Sequence, residues 1–313
     1  MDDLADDDYD EFGLLAENAG EVGLPVDRLP ATVRRTVVVE GGQRLSAIVF
    51  GEGEPELVFL HGGGQNAHTW DTVALILGRP MVAVDLPGHG RSDRREDRDY
   101  GPWRNADAVA DALPELAPRP RAVVGMSLGG ATTIRLAATR PTLVDRAVIV
   151  DVTPQVNDPS RQWTAAERGS VALISGPPTY DSLDAMVDAA VVTSPNRPPA
   201  AVRRGVRHNA VRRPDGRWTW RYDLFPKEGE EPREGAGDFT GLWEDVSAIT
   251  VPVMLVLGGD SVFVTGDDVT EFRRRCPHVR VETVPGSGHS VQSDRPRQLV
   301  ALIEDFVFGP ETS

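Results

Sequence analysis

A chain of 313 residues with 40% hydrophobic side chains is long enough to bury a large core and too apolar for a disordered polymer. Its 48 acidic residues against 33 basic ones leave a net charge of −15, which repels phosphate backbones and anionic lipid and excludes nucleic acid and membrane surfaces as expected partners. A single cysteine, Cys276, precludes an internal disulfide, no basic start with a following apolar run marks a secretory leader, and no stretch approaches the roughly 20 apolar residues of a membrane span; a cytoplasmic protein is expected.

Residues 1–30 open with a block of like charge and read as a solvated acidic tail, with Leu14, Leu15 and Leu24 able to dock its later part on the body. From Val33 the pattern changes. Residues 36–39 and 45–50 read as two strands around Gly41-Gly42, a hairpin signal. Short Val-, Ile- and Leu-rich runs follow at 56–60, 80–84, 121–124, 147–150, 251–257 and 279–284. They do not alternate, as is usual for strands buried on both faces. Helical stretches such as 131–139 and 269–275 separate them. The expectation is an α/β fold, an eight-stranded and mostly parallel sheet with helices on both faces.

Two motifs fall at strand ends. Leu60-His61-Gly62-Gly63-Gly64 ends the third run, where a glycine loop can offer a backbone N–H to a developing oxyanion; Gly63 is the expected donor. His61, at the strand end, is read as tying that loop down and not as a base. Gly125-Met126-Ser127-Leu128-Gly129 then follows the fifth run and opens a helix. A sharp strand-to-helix turn of this kind thrusts the serine out at the top of the sheet and needs small flanking residues. Ser127 is the candidate nucleophile and the Leu128 amide a second oxyanion donor. Gly62, Gly64 and Met126 border the serine and are expected to touch substrate.

Residues 154–245 break the rhythm with Pro-rich joints and a cluster of arginines (Arg203, Arg204, Arg207, Arg212, Arg213, Arg217 and Arg221), and read as a helical lid inserted between a first core part, 31–153, and a second, 246–313. The arginines fit either attraction of an anionic substrate or a solvated face paired with Asp181, Asp184, Asp188, Asp215 and Asp223, and the second reading is preferred. Trp220 is expected to line the substrate site, although Trp218, Trp220, Tyr222 and Trp243 would serve equally to pin the lid. Among six histidines, only His289 follows the last strand on a glycine-rich loop downstream of the serine, and it is the candidate base.

The chain resembles the α/β-hydrolase superfamily in its lidded branch of esterases, lactonases and carbon–carbon bond hydrolases. The resemblance runs from about Val33 to Phe308 and rests on His61 to Gly64, on Asp85-Leu86-Pro87-Gly88-His89-Gly90-Arg91-Ser92, on the serine turn and on Gly288-His289. It implies the order serine, acid, histidine and a structural role for Asp85 and His89. A serine in place of an aspartate at position 127 disfavours the epoxide-hydrolase and dehalogenase branches. The family's acid usually follows the penultimate strand as G-x-x-D, a slot that here holds Ser261. Asp260, one residue early, is therefore the preferred acid, Asp151 at the end of the 147–150 run is its rival, and Asp267 and Asp268 are outside candidates. The expected function is hydrolysis of a small-molecule carboxylic ester, lactone or thioester through an acyl-enzyme, without metal or cofactor. Carbon–carbon cleavage of a diketone by the same residues, or a non-catalytic ligand-binding homologue, are the alternatives. The sequence does not set the oligomeric state.

Overall fold

The computed structural model describes residues 9–157, 177–194, 197–224 and 238–310. The acidic block at 1–8 lies outside them. The elements, in chain order, are α1 (Leu15–Glu21), β1 (Thr32–Val38), β2 (Arg44–Phe50), β3 (Leu57–Leu60), α2 (Asp71–Leu77), β4 (Met81–Val84), α3 (Pro102–Leu116), β5 (Ala122–Met126), α4 (Leu128–Thr139), β6 (Ala147–Val150), α5 (Leu183–Val192), α6 (Pro199–Asn209), β7 (Ala210–Arg212), β8 (Trp218–Trp220), α7 (Leu242–Ala248), β9 (Val253–Gly258), α8 (Gly266–Arg275), β10 (Arg280–Val284), α9 (Val291–Asp294) and α10 (Pro296–Phe308).

Eight strands form one sheet in the order β1-β2-β4-β3-β5-β6-β9-β10. The β1–β2 hairpin and the β2–β4 pair are antiparallel, and every pair from β4 to β10 is parallel. The hairpin turns through Gly41 and Gly42, both at a φ of 79° that side-chain-bearing residues rarely adopt. The non-alternating runs are explained by the two layers. Val58, Leu60, Val123, Ile149 and Leu255 face one layer with α3, α4, α7 and α8, while Phe59, Val124, Val148, Val150 and Met254 face the other with α1, α2 and α10. In the central strands β3, β4, β5, β6 and β9, with both faces covered, the side chains go into apolar packing worth roughly 1.5–3 kcal/mol for a full-sized one, whereas the edge strands β1 and β10 stay partly exposed.

In the later part of the N-terminal stretch, Leu15 and Ala19 of α1 are buried against α2, with Leu24 partly buried beside them. Between β6 and α7 the described segments build a separate unit, α5 and α6 beside the small β7–β8 ribbon, around a cluster of its own that includes Met186, Val202, Val206 and Trp220. No helix among the described residues is long and apolar enough to cross a membrane.

Candidate active site

Parallel strands all end at one edge, and the candidate residues collect there. Ser127 sits between β5 and α4 with φ 52° and ψ −118°, a strained conformation that costs of order 1–3 kcal/mol and persists because its surroundings hold it. Its amide donates to Val150 O (3.1 Å) and its carbonyl accepts the first helical bond of α4, from Ala131 N (2.9 Å). The flanking glycines are sterically compulsory. A Cβ on Gly125 would lie 2.1 Å from Gly129 O, and one on Gly129 would lie 2.2 Å from Leu60 O. The strand, the turn and the glycine loop are therefore in backbone contact.

The acid expectation is corrected. Asp260 is exposed in a turn, where its amide donates to Ser287 O, and it is not a partner of His289. The partner is Asp151, at the end of β6, whose Oδ2 lies 2.7 Å from His289 Nδ1. Asp151 is fully buried, and its Oδ1 accepts the Gly258 amide (2.9 Å) while Oδ2 also accepts the Ser261 hydroxyl (2.5 Å). Like Ser127 it has a positive φ, 51°, and its amide donates to Val256 O (2.8 Å), so the backbone bends the side chain toward the neighbouring strand end. Asp268 is spent in the capping box of α8 with Thr265, and Asp267 is exposed in that helix's first turn. The His289 loop stands close enough to β9 that a Cβ on Gly258 would lie 2.2 Å from Gly288 O. Phe263 stacks on the imidazole with ring centres 3.8 Å apart and 17° between planes. Ser127 and Asp151 thus end adjacent strands, and His289 reaches Asp151 from the far side of β9.

The glycine loop is held by two neutral imidazoles. His61 accepts the Leu86 amide at Nε2 (2.9 Å), and its Nδ1–H donates to Gly62 O (2.8 Å). His89 accepts the Gly64 amide at Nε2 (3.1 Å), and its Nδ1–H donates to Pro87 O (3.0 Å). Burial depresses the basicity of both, and for His89, with His61 beside it, the pKa falls to about 3. The Gly62 amide is taken by Gln65 Oε1 (3.1 Å) and the Gly64 amide by His89, which leaves Gly63 as the loop's donor without an acceptor among the described residues. Leu128, at the first turn of α4, has no intrahelical acceptor for its amide. Met126 is buried under this loop, its sulfur 2.7 Å from where a Gly62 Cβ would be.

The inserted unit touches the same loop. Asn209, at the end of α6, donates from Nδ2 to Gly64 O (2.6 Å), and Asn66 Nδ2 donates to His208 O (3.1 Å). Sequence reasoning missed Asn209, which closes an arginine-rich helix and belongs to no motif. Trp220 lies within the insertion's own cluster, stacked on Tyr222 (5.8 Å), which in turn stands 6.3 Å from His89. The arginines mostly have acidic or aromatic partners: Arg203 with Asp184, Arg204 with Glu17 and Glu21, Arg213 with Asp215, Arg217 with Asp181, and Arg207 over Tyr9 and Trp218.

A second cluster lies beneath. Glu11 accepts from Arg34 and His68, and Tyr9 Oη lies 2.6 Å from His208 Nδ1. Burial alone would hold His68 neutral, but Asp71 (2.9 Å) and Glu11 (3.1 Å) outweigh it and push its pKa up to about 9. His68, Asp71 and His208 each bring a potential metal ligand atom within 4.8 Å of the others. The two imidazoles, however, stack at 3.8 Å and 10°, so their in-plane lone pairs do not converge on one ion, and both nitrogens of His68 face carboxylates. In this arrangement the cluster is an ion pair that joins the N-terminal segment, the core and the insertion.

A family model described as the alpha/beta hydrolase family matches residues 57–302. The chain is 49% identical over 304 residues to the esterase Rv0045c of Mycobacterium tuberculosis, covering 96% of this chain and 97% of that one. A solved structure of that esterase superposes with a TM-score of 0.81 at 48% identity, covering 95% of this chain and 98% of that one. The chain is also 28% identical over 269 residues to the sn-1-specific diacylglycerol lipase ABHD11 of Mus musculus, covering 81% of each.

Proposed function

The chain belongs to the α/β-hydrolase family and is an esterase-type hydrolase, and from that premise we propose that it cleaves small carboxylic esters, lactones or thioesters through Ser127, His289 and Asp151. Ser127 Oγ attacks the carbonyl carbon as His289 Nε2, the nitrogen not engaged by Asp151, takes its proton. The amides of Gly63 and Leu128 hold the oxyanion. Collapse of the tetrahedral intermediate expels the alcohol or thiol with the proton returned by His289, and water then hydrolyses the acyl-enzyme by the same steps. Asp151 keeps the proton on Nδ1 and stabilises the imidazolium that forms. Gly62 and Gly64 wall the reacting carbonyl, and Met126 supports them from beneath. The inserted unit acts as a lid held to that wall by Asn209, with Trp220 supporting it through Tyr222.

The single observation that carries this reading is the 2.7 Å contact between His289 and the buried Asp151, one strand from a serine on a strained turn. The test is turnover of p-nitrophenyl acetate and butyrate with fluorophosphonate labelling. Wild type is expected to turn over and to label at Ser127. Ser127→Ala is expected to lose label and about 10⁴-fold or more in kcat. Equal rates in the two proteins would sink the proposal.

A further inference from the structure

The turn after β9 does more than connect it to α8. Ser261 donates its hydroxyl proton to Asp151 Oδ2 (2.5 Å), the same oxygen that faces His289, and its oxygen accepts the Phe263 amide (3.2 Å). The hydroxyl is thereby aimed. Asp151 is buried and receives three donors, the Gly258 amide on one oxygen and Ser261 and His289 on the other. Two of those donors, and the aromatic ring stacked on His289, come from residues 258–263.

We infer that Ser261 is a positioning residue that sets the basicity of the His289–Asp151 pair by sharing the negative charge of Asp151 Oδ2. The inference rests on the assignment of that pair to catalysis. Each donor to a buried carboxylate stabilises its charged form and weakens its hold on a further proton. Removing the Ser261 hydroxyl leaves more of that charge for the imidazole, so proton uptake by the pair is favoured and its pKa rises. Among the described residues, the charged groups that meet the loop carrying His289 are Asp294, which accepts the Gly288 amide (2.8 Å), Arg295, which lies beside Gly286, and the exposed Asp260, whose amide donates to Ser287 O. Among the described residues Asp151 is the one hydrogen-bonded to the ring, so the change at Ser261 reaches His289 through that carboxylate.

The test titrates His289 by NMR in histidine-labelled full-length protein and, in parallel, records kcat/KM against pH on p-nitrophenyl butyrate. Ser261→Ala, and Ser261→Cys as a near-isosteric replacement with a weak donor, are expected to raise the His289 pKa by about half a unit to one unit. The acid limb of kcat/KM should move with it, and KM should stay unchanged. Ser261→Thr, which keeps the hydroxyl, should follow wild type. A His289 titration in the Ala and Cys variants that superposes on wild type overturns the inference, as does a Thr variant shifted as far as they are. The NMR readout needs no turnover. A protein inactive on every ester would therefore count against the hydrolase reading and still leave the role of Ser261 decided.

Discussion

Replacing Asp151 by asparagine separates the two acids that the sequence left in competition. Asparagine has nearly the same shape and tolerates the positive φ of 51°, so the backbone at the end of β6 should keep its course. The chemistry does not survive. The carboxylate accepts from Gly258, Ser261 and His289 and has no proton of its own to offer. If the amide oxygen stays toward Gly258, the NH₂ group meets His289 Nδ1. The ring must then place its proton on Nε2, the nitrogen proposed to accept one from Ser127. If the amide flips, its NH₂ opposes the Gly258 amide, and a buried donor goes unpaired. Either way the imidazolium also loses its counter-charge. A loss of about 10⁴ in kcat is expected, or about 5 kcal/mol of transition-state stabilisation, with KM changed little. Asp260→Asn, at an exposed turn, should change activity by less than about twofold and stability by no more than about 0.5 kcal/mol. Steady-state kinetics on p-nitrophenyl butyrate and thermal melts of both variants measure this. An Asp151→Asn enzyme within tenfold of wild type, or an Asp260→Asn enzyme as impaired as expected for Asp151→Asn, would refute the assignment.

Three further outcomes are expected. Gly258→Ala forces a Cβ onto Gly288 O, so it should displace the His289 loop and lower kcat far more than Tm, as read by kinetics beside a melt. Asn209→Ala removes the bond to Gly64 O and should lower kcat by about tenfold with KM less affected, since a donor loop that is no longer held costs transition-state stabilisation. Stability should fall as pH rises through about 9: the folded His68 pKa lies above its ordinary 6.5, so its pairing with Asp71 and Glu11 contributes fully below pH 6.5 and is lost on deprotonation. Melts between pH 6 and 10 should show that loss, and Glu11→Gln should both lower Tm at pH 6 and flatten the alkaline decline.

What the linear sequence carried was local. Non-alternating Val, Ile and Leu runs signal strands covered on both sides, and each of the eight expected runs is a strand of the sheet. Glycines packed around Ser127 are legible because a sharp turn against neighbouring backbone excludes every larger side chain there. The structure places His289 on the loop that follows the last strand, as its position in the chain suggested. The partner of His289 was not legible. Asp151 and Asp260 both stand at ends of parallel strands, and sequence distance does not say which lies toward the histidine. The fold alone settles that, because β6 and β9 are neighbours and the bend at Asp151 turns its carboxylate under the His289 loop, while Asp260 turns outward to water. The same holds for Glu11, Asn209 and Ser261, whose roles depend on partners 57, 145 and 110 residues away in the chain. Contacts of that range follow from how layers pack, and no local pattern of residues encodes them.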